Sequence, residues 1–378
     1  MSESSAINVS LVEIDNLDEL GAIWTDLQQR SRHSFFTSWG WLRCWLECLP
    51  ASVRPRILLA ETHDGIVGLG LLNRQRIRRA KVVTSHGLFL NETGDELLDE
   101  LTVEHNGLLA DTECAADVHR AAIEFLLEQV SDWDEIHWGG IDADDRLSQI
   151  LDESPLNIRR KIIKDCACAT VNLAALRESK TEYFAKLSSN TRQQVRRSMR
   201  LYDAEGKLEL DSAESPADAV LFYDEMKRLH QAYWEAKGKH GAFGTEFCDR
   251  FHRRLIADRL PSGEIQLLRV RSGSTVLGYL YNFDYQGRIY CYQSGFDYDE
   301  DPKRKPGLVS HALAVQHNLD RGAAVYDFLG GDSRYKQSLC TDSVPMRWLV
   351  WQRPRWRFRL EDALRGMQRR LGLKNWIA

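Results

Sequence analysis

A run of cations followed by a glycine stands where a strand pattern gives way to a helix pattern, and it could hold a phosphate group. Lys303–Lys305 precede Gly307, where an apolar helical period begins. The first turn of a helix has unpaired backbone N–H groups and a partial positive charge, and glycine lets an anion approach closely. The residues predicted to contact the phosphate are Lys303, Arg304, Gly307 and Leu308. The alternative is a capped surface helix whose cations are solvated.

The strand pattern that leads into this run ends at residues that could bind a carbonyl group. The run 288–295 is apolar and rich in aromatic residues, and Phe296 follows it directly. Backbone N–H groups at such a strand end can donate to a carbonyl oxygen while negative charge develops on it. We therefore predict that Ser294, Gly295 and Phe296 bind the reactive end of a cosubstrate.

Asp327 is the candidate catalytic carboxylate. It lies in a second apolar run, 324–329, which ends at Gly330 and Gly331. A nucleophilic amine must be neutral to attack a carbonyl carbon, so a carboxylate at a strand end could accept its proton or anchor it. Lys336, farther along the chain, could bind a donor phosphate or an acidic acceptor. The alternatives are an aspartate that caps a loop and a solvated lysine.

Arginines are concentrated in one predicted helix, residues 181–204. Arg192, Arg196 and Arg200 follow one another at intervals of four and therefore share a helical face. Guanidinium groups bind phosphate and carboxylate groups with two hydrogen bonds at once. We predict that Arg192 and Arg196 bind an anionic substrate group, and the alternative is a solvated helix face.

The composition is that of a globular chain with two domains. The 378 residues are 43% hydrophobic and 28% charged, which is enough apolar material for two cores. The formal net charge of −5 argues against a protein that coats nucleic acid, so we expect no DNA partner. We expect three parts: an N-terminal domain at 1–160, a C-terminal domain at 161–346 and a basic tail at 347–378.

The cysteines and the hydropathy pattern indicate a cytoplasmic protein. None of the eight cysteines forms a C-x-x-C pair or a zinc-finger spacing, so we expect free thiols and no metal. Residues 1–10 lack the basic and apolar regions of a signal peptide, and no apolar run approaches the roughly 20 residues of a membrane span. A peripheral position at the inner membrane is expected only if the basic tail binds there.

The two halves share an order of predicted elements: helices, a strand hairpin, a further helix and a strand that ends in Gly-Gly. In the first half we predict a helical region 9–49, strands 56–61, 66–72 and 133–138, and a helix 118–130. In the second half we predict helices 181–204, 217–237, 246–260 and 307–321, and strands 264–270, 275–285, 288–295 and 324–329.

Together these motifs resemble the Fem-like GNAT acyltransferases of the CelD type. The residues that carry the resemblance are Phe36-Thr37-Ser38-Trp39, Ser189-Asn190-Thr191-Arg192 with Arg196-Arg197, Pro306-Gly307-Leu308, Asp327-Phe328-Leu329-Gly330-Gly331 and Tyr335-Lys336. The spacing from Arg304 to Gly307 is similar to the pyrophosphate loop of GNAT enzymes, Arg/Gln-x-x-Gly-x-Gly/Ala. Val309 departs from the last position of that loop.

The resemblance implies an α/β (α+β) chain of tandem GNAT-like acyltransferase folds, with mixed central sheets flanked by helices. It also implies that two parallel strands splay apart, that acetyl-CoA or another acyl-CoA is the cosubstrate, and that no metal is needed. By the same resemblance, Tyr335 protonates the departing thiolate, although a half-buried structural ring is the alternative.

The resemblance further implies an N- or O-acyltransferase that acts on a sugar or amine in exopolysaccharide or cell-envelope biosynthesis. Two alternatives stay open: a Fem-type ligase with an aminoacyl-tRNA donor, and a non-catalytic scaffold of the polysaccharide synthesis machinery.

The tail has nine Lys/Arg against two Asp/Glu. Its basic amphipathic pattern could bind a membrane-associated synthesis complex or pack back onto the second half. The apolar stripe of the tail is Leu360, Ala363, Leu364, Met367 and Leu371.

Overall fold

The computed structural model describes residues 6–79, 83–153 and 157–370, except for the side chains of residues 364, 365 and 368–370. These residues form two compact units. The first unit takes its residues from Met1–Asp165 and Met346–Ala378, and the second is Cys166–Pro345. Residues predicted as a separate tail thus belong to the first unit in this division, while the domain boundaries themselves stay predictions.

The first unit begins and ends its sheet with strands that are far apart in sequence. Its elements are β1 (Asn8–Val12), α1 (Leu17–Gln28), α2 (Trp39–Cys48), β2 (Arg56–Thr62), β3 (Gly65–Arg79), β4 (Val83–Leu90), β5 (Leu109–Ala110), α3 (Ala115–Glu128), β6 (Glu135–Asp142) and α4 (Arg146–Asp152). Two further strands, β7 (Arg159–Asn172) and β13 (Asp342–Gln352), cross the limit between the units, and α12 (Trp356–Arg370) follows β13.

The sheet of the first unit is mixed. Its order is β1-β2-β3-β4-β6-β13, and β5 pairs with β3. The strands β4 and β6 are parallel, and the other pairs in this order are antiparallel. On one sheet face, Trp138 and Trp351 are buried beside apolar residues of α3 and α4, such as Leu126 and Leu147. Burial of this apolar face supplies most of the stability of such a layer.

The helices of the second unit lie before, between and after its strands in the chain, and these strands belong to a mixed sheet. Its elements are α5 (Leu173–Glu178), α6 (Tyr183–Lys186), α7 (Ser189–Asp203), β8 (Leu208–Ser212), α8 (Pro216–Glu235), α9 (Glu246–Arg259), β9 (Ile265–Ser272), β10 (Thr275–Tyr285), β11 (Arg288–Phe296), α10 (Pro306–Asp320), β12 (Val325–Gly330) and α11 (Arg334–Leu339).

The strand order of this sheet is β7-β12-β11-β10-β9-β8, with only β11 and β12 parallel to each other in that order. A tight turn joins β10 to β11 because Gln286 and Gly287 both have positive φ, 49° and 76°, which is the backbone that a two-residue hairpin requires. Leu280, Val315 and Tyr326 are fully buried in its core. The core thus holds β10, β12 and α10 together.

The structure confirms the predicted fold class, an α/β (α+β) chain with mixed sheets flanked by helices. The uniform helical start, 9–49, is wrong, because Val9 and Leu11 belong to β1 and pair with Ala60 and Leu58 of β2. The helix 181–204 is divided into α6 and α7, since the Ser188 hydroxyl caps α7 by accepting the Thr191 N–H at 3.2 Å.

The tail is a strand and a helix in the described residues. Its beginning lies in β13, and Trp356–Arg370 form α12, while Leu371 and the side chain of Leu364 lie outside the described part. None of the helices within 6–79, 83–153 and 157–370 combines the length and the hydropathy that a bilayer crossing requires.

Candidate functional site

The two parallel strands of the second unit part from each other. β11 and β12 pair at Arg288–Tyr290 and Val325–Asp327, and in the described residues their pairing ends at Tyr290 and Asp327. β11 nevertheless continues to Phe296 and β12 to Gly330. Residues 291–296 and 328–330 form no pairs with each other in the described part of the chain, and the space between them is called the gap below.

A β-bulge lies next to the end of this pairing in each strand. In β11, Cys291 and Gln293 lie opposite consecutive residues of β10, so that Tyr292 is an extra residue. In β12, the register against β7 shifts between Asp327 and Gly330. Because a bulge bends its strand and increases its twist, the two bulges account for the divergence of β11 from β12.

Asp327 is buried at the point where the strands part. One carboxylate oxygen accepts the Leu329 N–H at 2.8 Å, and the other lies 2.8 Å from Nη1 of Arg288. Leu329 has a φ of +62°, a left-handed conformation that costs free energy in a residue other than glycine. The carboxylate thus stabilises the bulge of β12. The predicted role as a general base stays a prediction.

Lys336 binds the same turn from the other side. Its ammonium group donates to the carbonyl oxygens of Gly330 at 2.6 Å and Leu329 at 3.2 Å. The helix α11 therefore fixes the end of β12 through this side chain. A contact from Lys336 to a donor or acceptor stays a prediction, and it would have to compete with these two hydrogen bonds.

The end of β11 and the start of α10 are held by close packing. A Cβ on Gly295 would overlap the carbonyl oxygen of Met226 in α8, so only glycine fits there. The carbonyl oxygen of Ser294 accepts the Nδ1–H of His230 at 2.9 Å. A Cβ on Gly307 would lie 3.1 Å from the Phe296 ring. The predicted cosubstrate residues of β11 and α10 are thus neighbours in the structure.

The helix α7 positions the first turn of α10. The backbone N–H of Lys305 donates to the Ser198 hydroxyl at 2.9 Å, and its ammonium group donates to the Gln194 side chain at 2.6 Å. Gly307 and Leu308 remain half-exposed. Because the first N–H groups of a helix have no partner within the helix, this turn can still bind an anion.

The charges around this turn are more balanced than the sequence reasoning assumed. Arg304 forms an ion pair with Glu205 through both guanidinium Nη atoms and lies 3.4 Å from Asp299. The hydrogen bond to Glu205 raises the pKa of Arg304. Four acidic residues stand at 297–301 beside the three cations 303–305. A diphosphate at this turn would therefore have to displace Glu205 from Arg304.

The arginines of α7 divide into one engaged side chain and an exposed group. Arg192 donates to the carbonyl oxygen of Ala185 at 3.2 Å and so caps α6. Arg196 and Arg200 are exposed on the same helix, which packs against α10. Of the two predicted substrate-binding arginines, Arg196 is the one available for a ligand.

Sequence reasoning missed a buried pair beside Tyr335. The His311 ring stacks on Tyr335 at 4.5 Å between centroids, and its Nδ1 lies 3.7 Å from the Cys291 sulfur. Burial lowers the pKa of His311 to about 3 and raises the pKa of Tyr335 well above its usual range, so the ring is neutral and the phenol stays protonated. Cys291 is the first β11 residue past the pairing with β12.

The corresponding place in the first unit is filled by the chain itself. Its parallel strands, β4 and β6, also end their pairing early, at Phe89 and His137. Beyond that point Asn106 forms a parallel bridge with Ile141, donates its N–H to Gly140 and donates its side-chain amide to Leu90. The segment 103–106 thus occupies the place that is open in the second unit.

Comparison with known proteins identifies part of the second unit. Residues 189–337 match the family model described as an acetyltransferase (GNAT) domain. This match includes α7, α8, α10 and both strands that border the gap. No curated protein matches the chain in sequence.

Solved structures resemble the chain along most of its length. FemX has 9% identity and a TM-score of 0.58 and covers 90% of this chain and 96% of its own. The C-terminal domain (DUF2156) of a putative lysylphosphatidylglycerol synthetase from Agrobacterium fabrum has 14% identity, a TM-score of 0.52, and coverages of 92% and 96%. L-PGS from Bacillus licheniformis has 10% identity and a TM-score of 0.53, and it covers 91% of this chain and 94% of its own. The chain therefore has a Fem-like fold, in which residues 189–337 match the model of a GNAT acetyltransferase domain.

Proposed function

We propose that the chain is an acyltransferase that binds an acyl-CoA in the gap of the second unit. The observation that carries this proposal is the early end of the β11–β12 pairing, beside the first turn of α10. Exposed strand edges suit an extended arm with amide groups, and a helix N-terminus suits a diphosphate. A coenzyme A thioester contains both an extended arm with amide groups and a diphosphate, and the arm leads from the diphosphate to the thioester.

The residues around the gap support transfer by direct attack. The acceptor nitrogen or oxygen attacks the thioester carbon, backbone N–H groups of β11 stabilise the developing oxyanion, and the C–S bond breaks. The departing thiolate takes a proton from the Tyr335 phenol, the acceptor releases its own proton to water, and the phenolate regains a proton from solvent. Asp327 acts here as a positioning residue, since both of its oxygens already hold the bulge of β12.

We further propose an anionic sugar or amine of exopolysaccharide or cell-envelope biosynthesis as the acceptor. The resemblance to the CelD type supports that pathway, and exposed Arg196 and Arg200 supply the charge that an anionic acceptor needs. An association of the basic α12 with a membrane-bound synthesis complex belongs to the same proposal.

A Fem-type ligase that uses aminoacyl-tRNA is the second candidate function. The likeness to FemX over 90% of the chain favours it at the level of fold. The ion pair between Arg304 and Glu205 also favours it, because a cation that is already paired attracts a small diphosphate less strongly. A scaffold without catalysis is the outcome if neither donor binds.

The donor is tested by isothermal titration with acetyl-CoA and by a matched pair of variants. Gly307→Asp places a carboxylate at the helix start and should weaken binding by about tenfold or more, because like charges repel. Gly307→Asn has the same shape without the charge and should bind within about threefold of the unchanged protein. Either Cβ meets the Phe296 ring at the same distance, so packing affects both variants equally.

Two results of this titration would contradict the acyl-CoA proposal: no binding by the unchanged protein, or equal binding by the two variants. Binding of a non-hydrolysable aminoacyl-tRNA in place of acetyl-CoA would support the ligase. Glu205→Gln should release Arg304 and tighten acetyl-CoA binding roughly two- to fivefold. Glu214→Gln, an exposed glutamate of the same unit, is its control and should change nothing.

A further inference from the structure

The first unit contains a cavity of about 350 Å³ on one face of its sheet. Its floor is formed by two cross-strand pairs of β6 and β13, His137 with Val350 and Glu135 with Gln352. Its wall is formed by residues 161–163 of β7. The volume lies within the range of roughly 300–1,000 Å³ that small-molecule sites occupy.

A buried ion pair lies at one end of this cavity. Glu135 is fully buried, and its carboxylate accepts hydrogen bonds from Arg79, from the Ser85 hydroxyl and from the Gln352 amide at 3.0 Å. Burial opposes its ionisation, but the Arg79 guanidinium and the other donors outweigh that effect and lower the pKa of Glu135. Because apolar residues of similar volume stabilise a fold at least as well as a buried ion pair does, stability alone gives no reason for this pair.

Two further polar groups face the cavity without satisfied partners. Lys161 forms no ion pair with any residue in 6–79, 83–153 or 157–370. His137 stacks on the Phe89 ring, and its Nε2 is buried, has no hydrogen bond within the described chain and lies 3.8 Å from Glu135. Burial lowers the pKa of His137 to about 4, so the ring is neutral and can donate a hydrogen bond.

The remaining lining is apolar and only partly open to solvent. Ile162 and Ile163 are 42% and 56% exposed, whereas Val350 is buried. Arg79 and Lys161 are opposed by the single carboxylate of Glu135, so the lining carries one uncompensated positive charge. Exposed β-branched side chains next to an unpaired ammonium group suit a ligand that has a charged end and an apolar body.

We propose that this cavity is a binding site for a small organic monoanion with an apolar body, distinct from the gap of the second unit. The anionic group binds the Lys161 ammonium. The apolar body packs on Ile162 and Val350. The ion pair of Arg79 and Glu135 keeps the floor rigid and closes that end of the site.

Benzoate and benzamide test this proposal because they have nearly the same shape and only benzoate is charged. Saturation-transfer NMR and isothermal titration with the full chain should show benzoate binding at least about tenfold tighter than benzamide. Lys161→Gln should remove that preference by weakening benzoate binding about tenfold. Lys164→Gln is the matched control, since its ammonium lies over the Trp348 ring, and it should leave binding unchanged.

A second variant tests the place of binding independently of charge. Val350→Phe fills the floor of the cavity and should abolish the binding of both probes, while circular dichroism and thermal unfolding verify that the variant is folded. No benzoate binding, equal binding of benzoate and benzamide, or equal effects of Lys161→Gln and Lys164→Gln would each overturn the proposal. None of these results depends on acetyl-CoA binding, so the two proposals fail separately.

Discussion

Asp327 holds the backbone at the point where β11 and β12 part. Its two oxygens bind the Leu329 N–H and the Arg288 guanidinium, and the bulge of β12 begins at this residue. A buried carboxylate that loses its cation becomes an uncompensated charge. We therefore expect Asp327 to contribute to the stability of this bulge, whether or not it also acts as a general base.

Substitution of Asp327 separates these two roles. Asp327→Ala removes both contacts and should lower the free energy of unfolding by about 3–5 kcal/mol. Asp327→Asn keeps an oxygen for the Leu329 N–H and should lose less, about 1–3 kcal/mol. Urea unfolding followed by circular dichroism measures both values. An Asn variant with unchanged stability but no acyl transfer would instead identify Asp327 as the general base.

At the scale of elements, β11 and β12 form no pairs with each other beyond Tyr290 and Asp327 in the described residues, whereas Asn106 forms a bridge with β6 in the first unit. Both units thus have a parallel pair that ends early. In the first unit Asn106 binds Gly140 and Leu90 beyond the paired part, and on the proposed function a ligand takes the corresponding place in the second.

Hydrogen exchange measured by mass spectrometry should detect this difference between the units. Acetyl-CoA should slow exchange of the amides at 291–297 and of Gly307 and Leu308, because the ligand pairs with the edge of β11 and the first turn of α10. Peptides that cover 103–107 and 138–142 serve as the internal control and should exchange at the same rate with and without ligand. Protection of 138–142 in place of 291–297 would contradict the assignment of the site.

The loop that leads into the segment 103–106 contains a buried acid, and it gives the first unit a pH dependence. Glu92 lies over the backbone of Gly139, and burial, with Asp99 nearby, raises its pKa from 4.5 to about 8. Between these pH values the folded chain keeps a proton that the unfolded chain releases. Stability should therefore fall as the pH rises through this window.

Urea unfolding of the unchanged protein and of Glu92→Gln at pH 5 and pH 8.5 checks this prediction. From pH 5 to pH 8.5, the free energy of unfolding of the unchanged protein should fall by on the order of 3 kcal/mol more than that of Glu92→Gln. The exposed Glu96→Gln is the control and should keep the full dependence. Identical slopes for all three proteins would show that Glu92 ionises normally.

At the scale of the whole molecule, two units of related fold should provide one donor site. Isothermal titration with acetyl-CoA should give a stoichiometry of one ligand per chain, since the segment 103–106 fills the place of a second. The titration of Gly307→Asp should leave no residual tight binding. A stoichiometry of two would show that the first unit also opens for the donor.

Local patterns predicted the elements and their order more successfully than the contacts among them. Periodicity and turn residues such as Gly287 predicted the strand 275–285 and three helices that nearly coincide with α8, α9 and α10. The ion pair of Arg304 with Glu205 joins residues 99 positions apart, and no local pattern indicates it. The bulge at Tyr292 depends on the register with β10, and register is a property of two strands together.

The filled position in the first unit has a genetic consequence. The two units are unequal, because Asn106 fills in the first unit the place that the gap takes in the second. On the proposed function, a codon change to Gly307→Asp would therefore impair donor binding although the protein accumulates normally, whereas a change to Gly307→Asn would be tolerated.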